Sequence, residues 1–193
     1  MIFPFLIPVL WLAWMAYWLA ASIDAKAVRR RESRASRIAH IAPLMLAVYL
    51  LAVPTRAPHP AWADWLFENF MPRSIAGFWA GFFVLATGLA FSVWARVRLG
   101  GNWSGTVTVK ENHELIRTGP YRWVRHPIYT GILTGFVGTT IALAEWRGLI
   151  AVALCLYAFL RKMRLEERWM VEAFGERYAA YRIQVKGLIP FIL

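Results

Sequence analysis

The chain has 193 residues, 59% of them hydrophobic and 16% aromatic, and carries a formal net charge of +11. A soluble domain of that size needs more polar surface than this composition supplies, and the mean hydropathy of +0.46 points the same way. The apolar residues also fall in blocks approaching the ~20 residues that cross a hydrocarbon core, which disfavours a soluble helical bundle.

From the N-terminus, a block from Ile2 to Ile23 meets no charge until Asp24 and is followed by Lys26, Arg29, Arg30, Arg31, Arg34 and Arg37. It lacks a basic leader and a convincing cleavage site, so it is expected to be a retained span rather than a signal peptide. Trp11, Trp14 and Trp18 share one side of this helix, a stripe that suits packing or interface anchoring better than a ligand box. A second block covers Ile38 to Val53, with Pro43 expected to kink or delay it and Pro54 to end it. In the next loop Trp62, Trp65, Leu66 and Phe70 have the spacing of a short interfacial helix. A third block extends from Ser74 to Leu99. The stretch from Gly100 to Arg125 is polar and turn-rich, contains a weakly strand-like run from Thr106 to Val109, and is too aromatic for a disordered segment. Two apolar arms, Pro127 to Ala144 and Leu149 to Leu160, flank a Glu145-Trp146-Arg147-Gly148 turn and predict a helical hairpin. Beyond Arg161 the last helix continues into a tail, Gly175 is placed to cap it, and Glu176 starts a further short helix. The apolar end from Leu188 to Leu193 is expected to return to the membrane surface.

The expected fold is all-α: a polytopic membrane protein of about five transmembrane helices, the last two a helical hairpin. Residues 1–193 read as one membrane-embedded domain, with 1–99 as three scaffold spans and 100–193 supplying a cofactor-binding loop, the hairpin and a cytoplasmic tail. Alternate loops then hold 19 of the 22 lysines and arginines on one side, which puts the N-terminus outside and the C-terminus in the cytoplasm. All the net charge lies on that face. A basic rim beside anionic lipid accounts for it, so nucleic acid is not an expected partner. The short length and lack of targeting signals suit a prokaryotic inner membrane. A single Cys155 inside an apolar span and histidines without ligand spacing offer no disulfide framework and no metal set. Oligomeric state is not legible.

The segment from Gly119 to Gly131 carries the chemistry. Pro127 suits the first turn of a helix, because that position needs no amide donor. His126 then sits at or beside the N-cap and Tyr129 in the first turn. The positive end of this helix faces the polar loop, and Arg125 adds a fork that matches a carboxylate. Glu166 and Glu167 lie one turn beyond the last span. Because the hairpin arms are antiparallel, His126, Tyr129 and the glutamate pair are expected to converge at one cytoplasmic depth. Singly, each has a plainer reading: a snorkelling Arg at a helix entrance, a solvated Glu face balanced by Lys162 and Arg164, and glycines 131, 135 and 138 as close helix packing. Together they suit a zwitterionic or cationic ligand.

Those residues resemble a known family. Leu99-Gly-Gly-Asn-Trp-Ser104, Gly119-Pro-Tyr121, Arg125-His-Pro-Ile-Tyr129, Glu166-Glu167 and Phe174-Gly-Glu-Arg-Tyr178-Ala-Ala-Tyr181 look like the isoprenylcysteine carboxyl methyltransferases, over about Leu99 to Leu193. The membrane phospholipid N-methyltransferases share much of the pattern. The resemblance implies an S-adenosylmethionine-dependent methyl transfer at the membrane surface, to the carboxylate of a prenylcysteine-like or other lipidic substrate. It implies that His126 and Tyr129 hold the methionine end of the cofactor and that Glu166 or Glu167 holds its ribose or amino group. Backbone from Leu115 through Gly119 to Tyr121 would enclose the adenine. Arg125 or Arg161 is the candidate for orienting the substrate carboxylate, and Trp103 for shaping the entrance. Three other readings stay open: a phospholipid N-methyltransferase, an NADPH-dependent sterol reductase-like enzyme, and a non-enzymatic membrane protein.

Overall fold

In the computed structural model, residues 5–22, 28–55, 57–103, 108–110 and 115–190 are described. Residues 104, 106, 107 and 191–193 of the motifs above, and Asp24, Lys26, Arg56, Glu111 and Glu114 of the charge pattern, lie outside them. The described chain is helical apart from one short antiparallel ladder. Its helices are α1 (Leu6–Ala21), α2 (Arg34–Ala52), α3 (Asp64–Phe67), α4 (Ile75–Leu99), α5 (Pro127–Leu143), α6 (Trp146–Phe174) and α7 (Glu176–Gln184). The ladder pairs β1 (Val28–Arg31) with β2 (Thr108–Lys110), so the end of the strand-like run does form a strand.

Local chemistry sets several helix ends. Ser33 caps α2 by accepting from the Ser36 amide, and Ser74 caps α4 by accepting from the Gly77 amide at 2.9 Å. The Ser33 cap starts α2 four residues before the apolar block, taking in Arg34 and Arg37, and α2 continues through Pro43 rather than being delayed by it. Gly175, at φ +54, ends α6, and its amide donates to the Val171 carbonyl at 2.8 Å. The short helix expected near Trp62 is a single 3-10 turn, Ala61–Ala63, followed by α3.

Arg34–Ala52 and Ile75–Leu99 are long and apolar enough to cross a membrane, and Leu6–Ala21 and Pro127–Leu143 are shorter apolar helices. Large apolar side chains point outward from them, including Leu12, Leu19, Met45 and Phe83, each at least 60% exposed. The α4 and α5 backbones approach closely. A Cβ on Gly138 would lie 2.3 Å from the Leu85 amide nitrogen, and one on Gly131 2.5 Å from the Gly88 carbonyl, so these backbones touch because neither residue has a side chain.

The turn of the hairpin is more than a tight turn. Ala144 adopts a left-handed φ of +58, and its carbonyl accepts from the Phe70 amide at 2.9 Å. Glu145 and Arg147, which the sequence suggests as turn residues, are 0% and 1% exposed. Glu145 accepts from Arg73, Arg147 and Thr55, while Arg147 donates to the carbonyls of Leu50 and Val53 at the end of α2. An ion cluster with Glu145 and Arg147 buried and Arg73 half-exposed thus clasps the loop between α2 and α4, α2 and the hairpin at the end opposite the glutamate pair.

Candidate active site

Because α5 and α6 run antiparallel, the N-cap of α5 and the sixth turn of α6 arrive together. His126, the N-cap residue of α5, presents both ring nitrogens to carboxylates: Nδ1 lies 3.4 Å from Glu166 Oε2 and Nε2 3.2 Å from Glu167 Oε1. Tyr129, one turn on, donates its hydroxyl to Glu166 Oε1 at 2.5 Å. Its ring stacks between His126 (centroids 5.4 Å apart) and Phe159 (4.7 Å), and Lys162 Nζ sits 5.4 Å over it.

The two glutamates have different jobs. Glu167 Oε1 accepts from Arg125 Nε at 2.8 Å and Nη2 at 2.5 Å, and its Oε2 lies 3.4 Å from Arg182 Nε. Arg125 Nη1 also donates to the carbonyls of Arg182 and Val185, which engages four of the five guanidinium N–H groups. Glu167 and Arg125 therefore lock the C-terminal tail against the entrance of α5. The backbone completes the lock: the amides of Arg125 and His126 donate to the carbonyls of Lys186 (2.8 Å) and Gly187 (3.0 Å), and the Thr130 hydroxyl donates to Leu188 at 2.6 Å. Glu166, held by Tyr129 and His126, is the member of the pair that faces a cavity.

That cavity has a volume of about 660 Å³. Its polar end is formed by Arg125, His126, Tyr129, Lys162 and Glu166, and its far end by Ile7, Trp11, Phe136 and Thr139. From His126 to Thr139 is roughly 20 Å along α5, so the space is about two-thirds as long as a ~30 Å hydrocarbon core is thick. Leu44, Val48 and Leu51 of α2 and Trp11, Trp14 and Trp18 of α1 supply much of the apolar wall. The tryptophan stripe does pack, with Trp11 Nε1 donating to Thr139 Oγ1 at 3.0 Å and Trp14 Nε1 to Ser92 Oγ at 2.8 Å, yet it also lines the cavity.

Of the residues singled out in the sequence, Trp103, Leu115, Tyr121, Arg125, His126, Tyr129 and Glu166 line this space. Gly119 instead lies against the Arg98 side chain with φ +61, a left-handed turn that steers the chain toward Pro120 and Tyr121. Arg161 lies in a different, smaller cavity beside His40, because a helix of 3.6 residues per turn directs it away from Lys162 and Glu166. Lys162, Phe159, Tyr178, Tyr181 and Arg182 were not singled out as site residues. Helical spacing from the glutamate pair could have found Phe159 and Lys162, Tyr178 and Tyr181 stand in the motif of residues 174–181, and no local signal marked Arg182.

Burial pushes His126 toward its neutral form, but hydrogen bonds to Glu166 and Glu167 outweigh it and raise its pKa above the ordinary 6.5. Burial pushes Glu166 and Glu167 up, and the His126 hydrogen bond with nearby Lys162 (for Glu166) and Arg125 (for Glu167) brings both below 4.5. The two carboxylates thus favour the imidazolium form of the histidine between them. The cluster's stabilisation is present above the unfolded carboxylate pKa and is lost as pH falls through the depressed folded values. The histidine's share is present below 6.5 and is lost as pH rises through its raised value. The cluster's own contribution to a melting-temperature profile in detergent should therefore be fullest between 4.5 and 6.5 and fall on both sides, so the difference between the parent and His126→Gln should shrink as pH rises above 6.5.

A family model described as phospholipid methyltransferase matches residues 76–177, more than half of the chain. The protein-S-isoprenylcysteine O-methyltransferase of Saccharomyces cerevisiae is 34% identical over 96 residues, covering 48% of this chain and 40% of that protein. The chain belongs to the phospholipid methyltransferase family. The Rattus norvegicus enzyme of the same name is 30% identical over 145 residues, covering 72% of this chain and 51% of that protein. The structure of a eukaryotic intramembrane Ras methyltransferase, an isoprenylcysteine carboxyl methyltransferase, superposes with a TM-score of 0.54 and 26% identity over 80% of this chain and 63% of that one. The chain spans about half the length of the curated relatives it matches. The family match covers α4 through α6 and so contains the Arg125–Tyr129 and Glu166–Glu167 elements.

Proposed function

We propose that the chain is an S-adenosylmethionine-dependent integral membrane methyltransferase that O-methylates the carboxylate of a prenylcysteine-like or other lipidic substrate. The observation that carries this reading is the continuity of the large cavity, whose charged end at Arg125, His126, Tyr129 and Glu166 runs directly into an apolar trough. In this reading α1, α2, α4, α5 and the first half of α6 are the five spans of a prokaryotic inner-membrane protein, with the charged end on the cytoplasmic side.

The residues present fit the cofactor. The Glu166 carboxylate suits an ammonium or ribose hydroxyls, and the His126 ring suits a carboxylate. Leu115 and Tyr121, with the backbone between them, supply an apolar wall for adenine. The cavity volume lies within the ~300–1,000 Å³ usual for small-molecule sites. S-adenosylmethionine supplies a methyl group already activated on sulfur. A carboxylate acceptor is ionised at neutral pH, so no side chain has to remove a proton from it. The work of the chain is alignment and exclusion of water, performed by the locked His126–Glu166–Tyr129 cluster and the tryptophan wall. Lys162, with the one Arg125 N–H group left outside the tail lock, faces the cavity and suits a substrate carboxylate, and Trp103, between Arg96 and Trp18, forms its rim.

Calorimetric titration of the purified chain with S-adenosylhomocysteine, and separately with NADPH, tests the reading. Saturable binding of the first, lost in His126→Ala, is expected. NADPH binding alone overturns it in favour of a reductase, and binding of neither favours a non-enzymatic protein. Methyl-transfer assays with a prenylcysteine and with phosphatidylethanolamine then decide the acceptor. Methylation of the amine alone overturns the carboxylate assignment.

A further inference from the structure

Arg161 leads to a second cavity. At the junction of α2 and α6, level with the glutamate pair, a space of about 150 Å³ is lined by Ser36, His40, Arg161, Arg164, Leu165 and Arg168. We propose that this pocket binds the phosphate of an anionic phospholipid headgroup.

Arg161, Arg164 and Arg168 stand at i, i+3 and i+7 along α6 and so share one face of it. Among the described residues, no ion pair joins any of the three to an acid. Glu32, whose side chain is only 1% exposed, lies 3.5 Å from His40 Nε2 and is not part of the lining. Opposite the arginines, the 19-residue α2 begins at Arg34, which brings the positive end of its dipole and the Ser36 hydroxyl to the same opening. A guanidinium fork matches two phosphate oxygens, and the volume equals that of about five waters at ~30 Å³ each, room for one such group and its hydration. The depth matters too. In the topology proposed above this is the cytoplasmic boundary, where lipid phosphates lie and where basic pockets between helices meet anionic headgroups. His40 also stands within electrostatic reach of Lys162 and Glu166, so a charge held here borders the larger cavity through one side chain.

The test reads the melting temperature of the intact chain in a neutral detergent against phosphatidylglycerol, phosphatidylcholine and inorganic phosphate. Phosphatidylglycerol should raise it saturably and phosphatidylcholine should not. In Arg164→Gln/Arg168→Gln the half-saturating phosphatidylglycerol should rise about tenfold or more. Arg164→Lys/Arg168→Lys should recover most of the effect and shows whether the glutamine variant merely folds badly. Arg122→Gln/Arg177→Gln removes the same charge elsewhere on that face and should behave as the parent. An equal loss in this control means diffuse attraction by the basic face and overturns the pocket. Saturation by inorganic phosphate alone, with no further shift on adding lipid, makes the site one for free phosphate and overturns the headgroup assignment. Because methyl transfer is not the readout, failure here leaves the catalytic reading standing.

Discussion

Glu167→Ala is expected to destabilise the chain by about 3–5 kcal/mol, a far larger loss of stability than its neighbour's replacement, Glu166→Gln, should cause. Glu167 is the shared acceptor for Arg125 and lies beside His126 and Arg182. Its removal leaves the Arg125 guanidinium, whose side chain is 9% exposed, without its counter-charge at the seam between the tail and α5. Glu166 contributes a Tyr129 hydrogen bond and one side of the histidine contact, and glutamine retains an oxygen for the tyrosine. The ligand effects should run in reverse order. Glu166→Gln keeps the fold and loses S-adenosylhomocysteine affinity, because the charge facing the cavity is gone. Thermal melts and calorimetry on the two variants separate the roles. Equal stability losses, or ligand binding unaffected in Glu166→Gln, would show that the division between a locking and a binding glutamate is wrong.

Gly138→Leu should prevent assembly of the α4–α5 pair. A Cβ at this position would meet the Leu85 amide nitrogen at 2.3 Å and the Gly81 carbonyl oxygen at 2.6 Å. Overpacked cores usually lose about 1–3 kcal/mol, but there the offending atoms are side chains that can rotate away. Here they are backbone, so relief requires the two helices to separate along the contact that also seats Gly88 against Gly131. The expected result is loss of the monodisperse peak on size-exclusion chromatography in detergent. Gly135→Ala, three residues away on the same helix, is the control. Its added methyl would meet only the ends of Trp11, Leu85 and Leu89 at 3.2–3.3 Å, which can give by a few tenths of an ångström. A cost of about 1 kcal/mol or less is expected there. Folded, monodisperse Gly138→Leu would contradict the close approach.

Both predictions rest on contacts that differ in how visible they are from sequence. Gly131 and Gly138 were readable as helix-packing residues because small side chains at helical spacing have one main use between apolar helices. Glu167 was readable only as half of a pair. Adjacent residues on a helix point about 100° apart, so the pair had to divide between two surroundings, but which member met Arg125 depended on how α6 is rotated against α5.

The same distinction runs through the whole chain. Apolar block lengths, Pro127 and Gly175 act within a turn or two of themselves, so the long helices and the antiparallel hairpin followed from the sequence, while the Ser33 cap moved the start of α2 from its expected place. The hairpin in turn brought His126 and Tyr129 to the depth of Glu166 and Glu167. Three things were decided only by tertiary structure. Arg161 was turned from the substrate to a second pocket, Glu145 and Arg147 were buried in a clasp with Arg73 and Thr55, and α1 and α2 became walls of the large cavity rather than scaffold alone. Each depends on the rotation of one helix about its axis or on partners about 70 to 130 residues apart, and neither leaves a periodic signal in the local sequence.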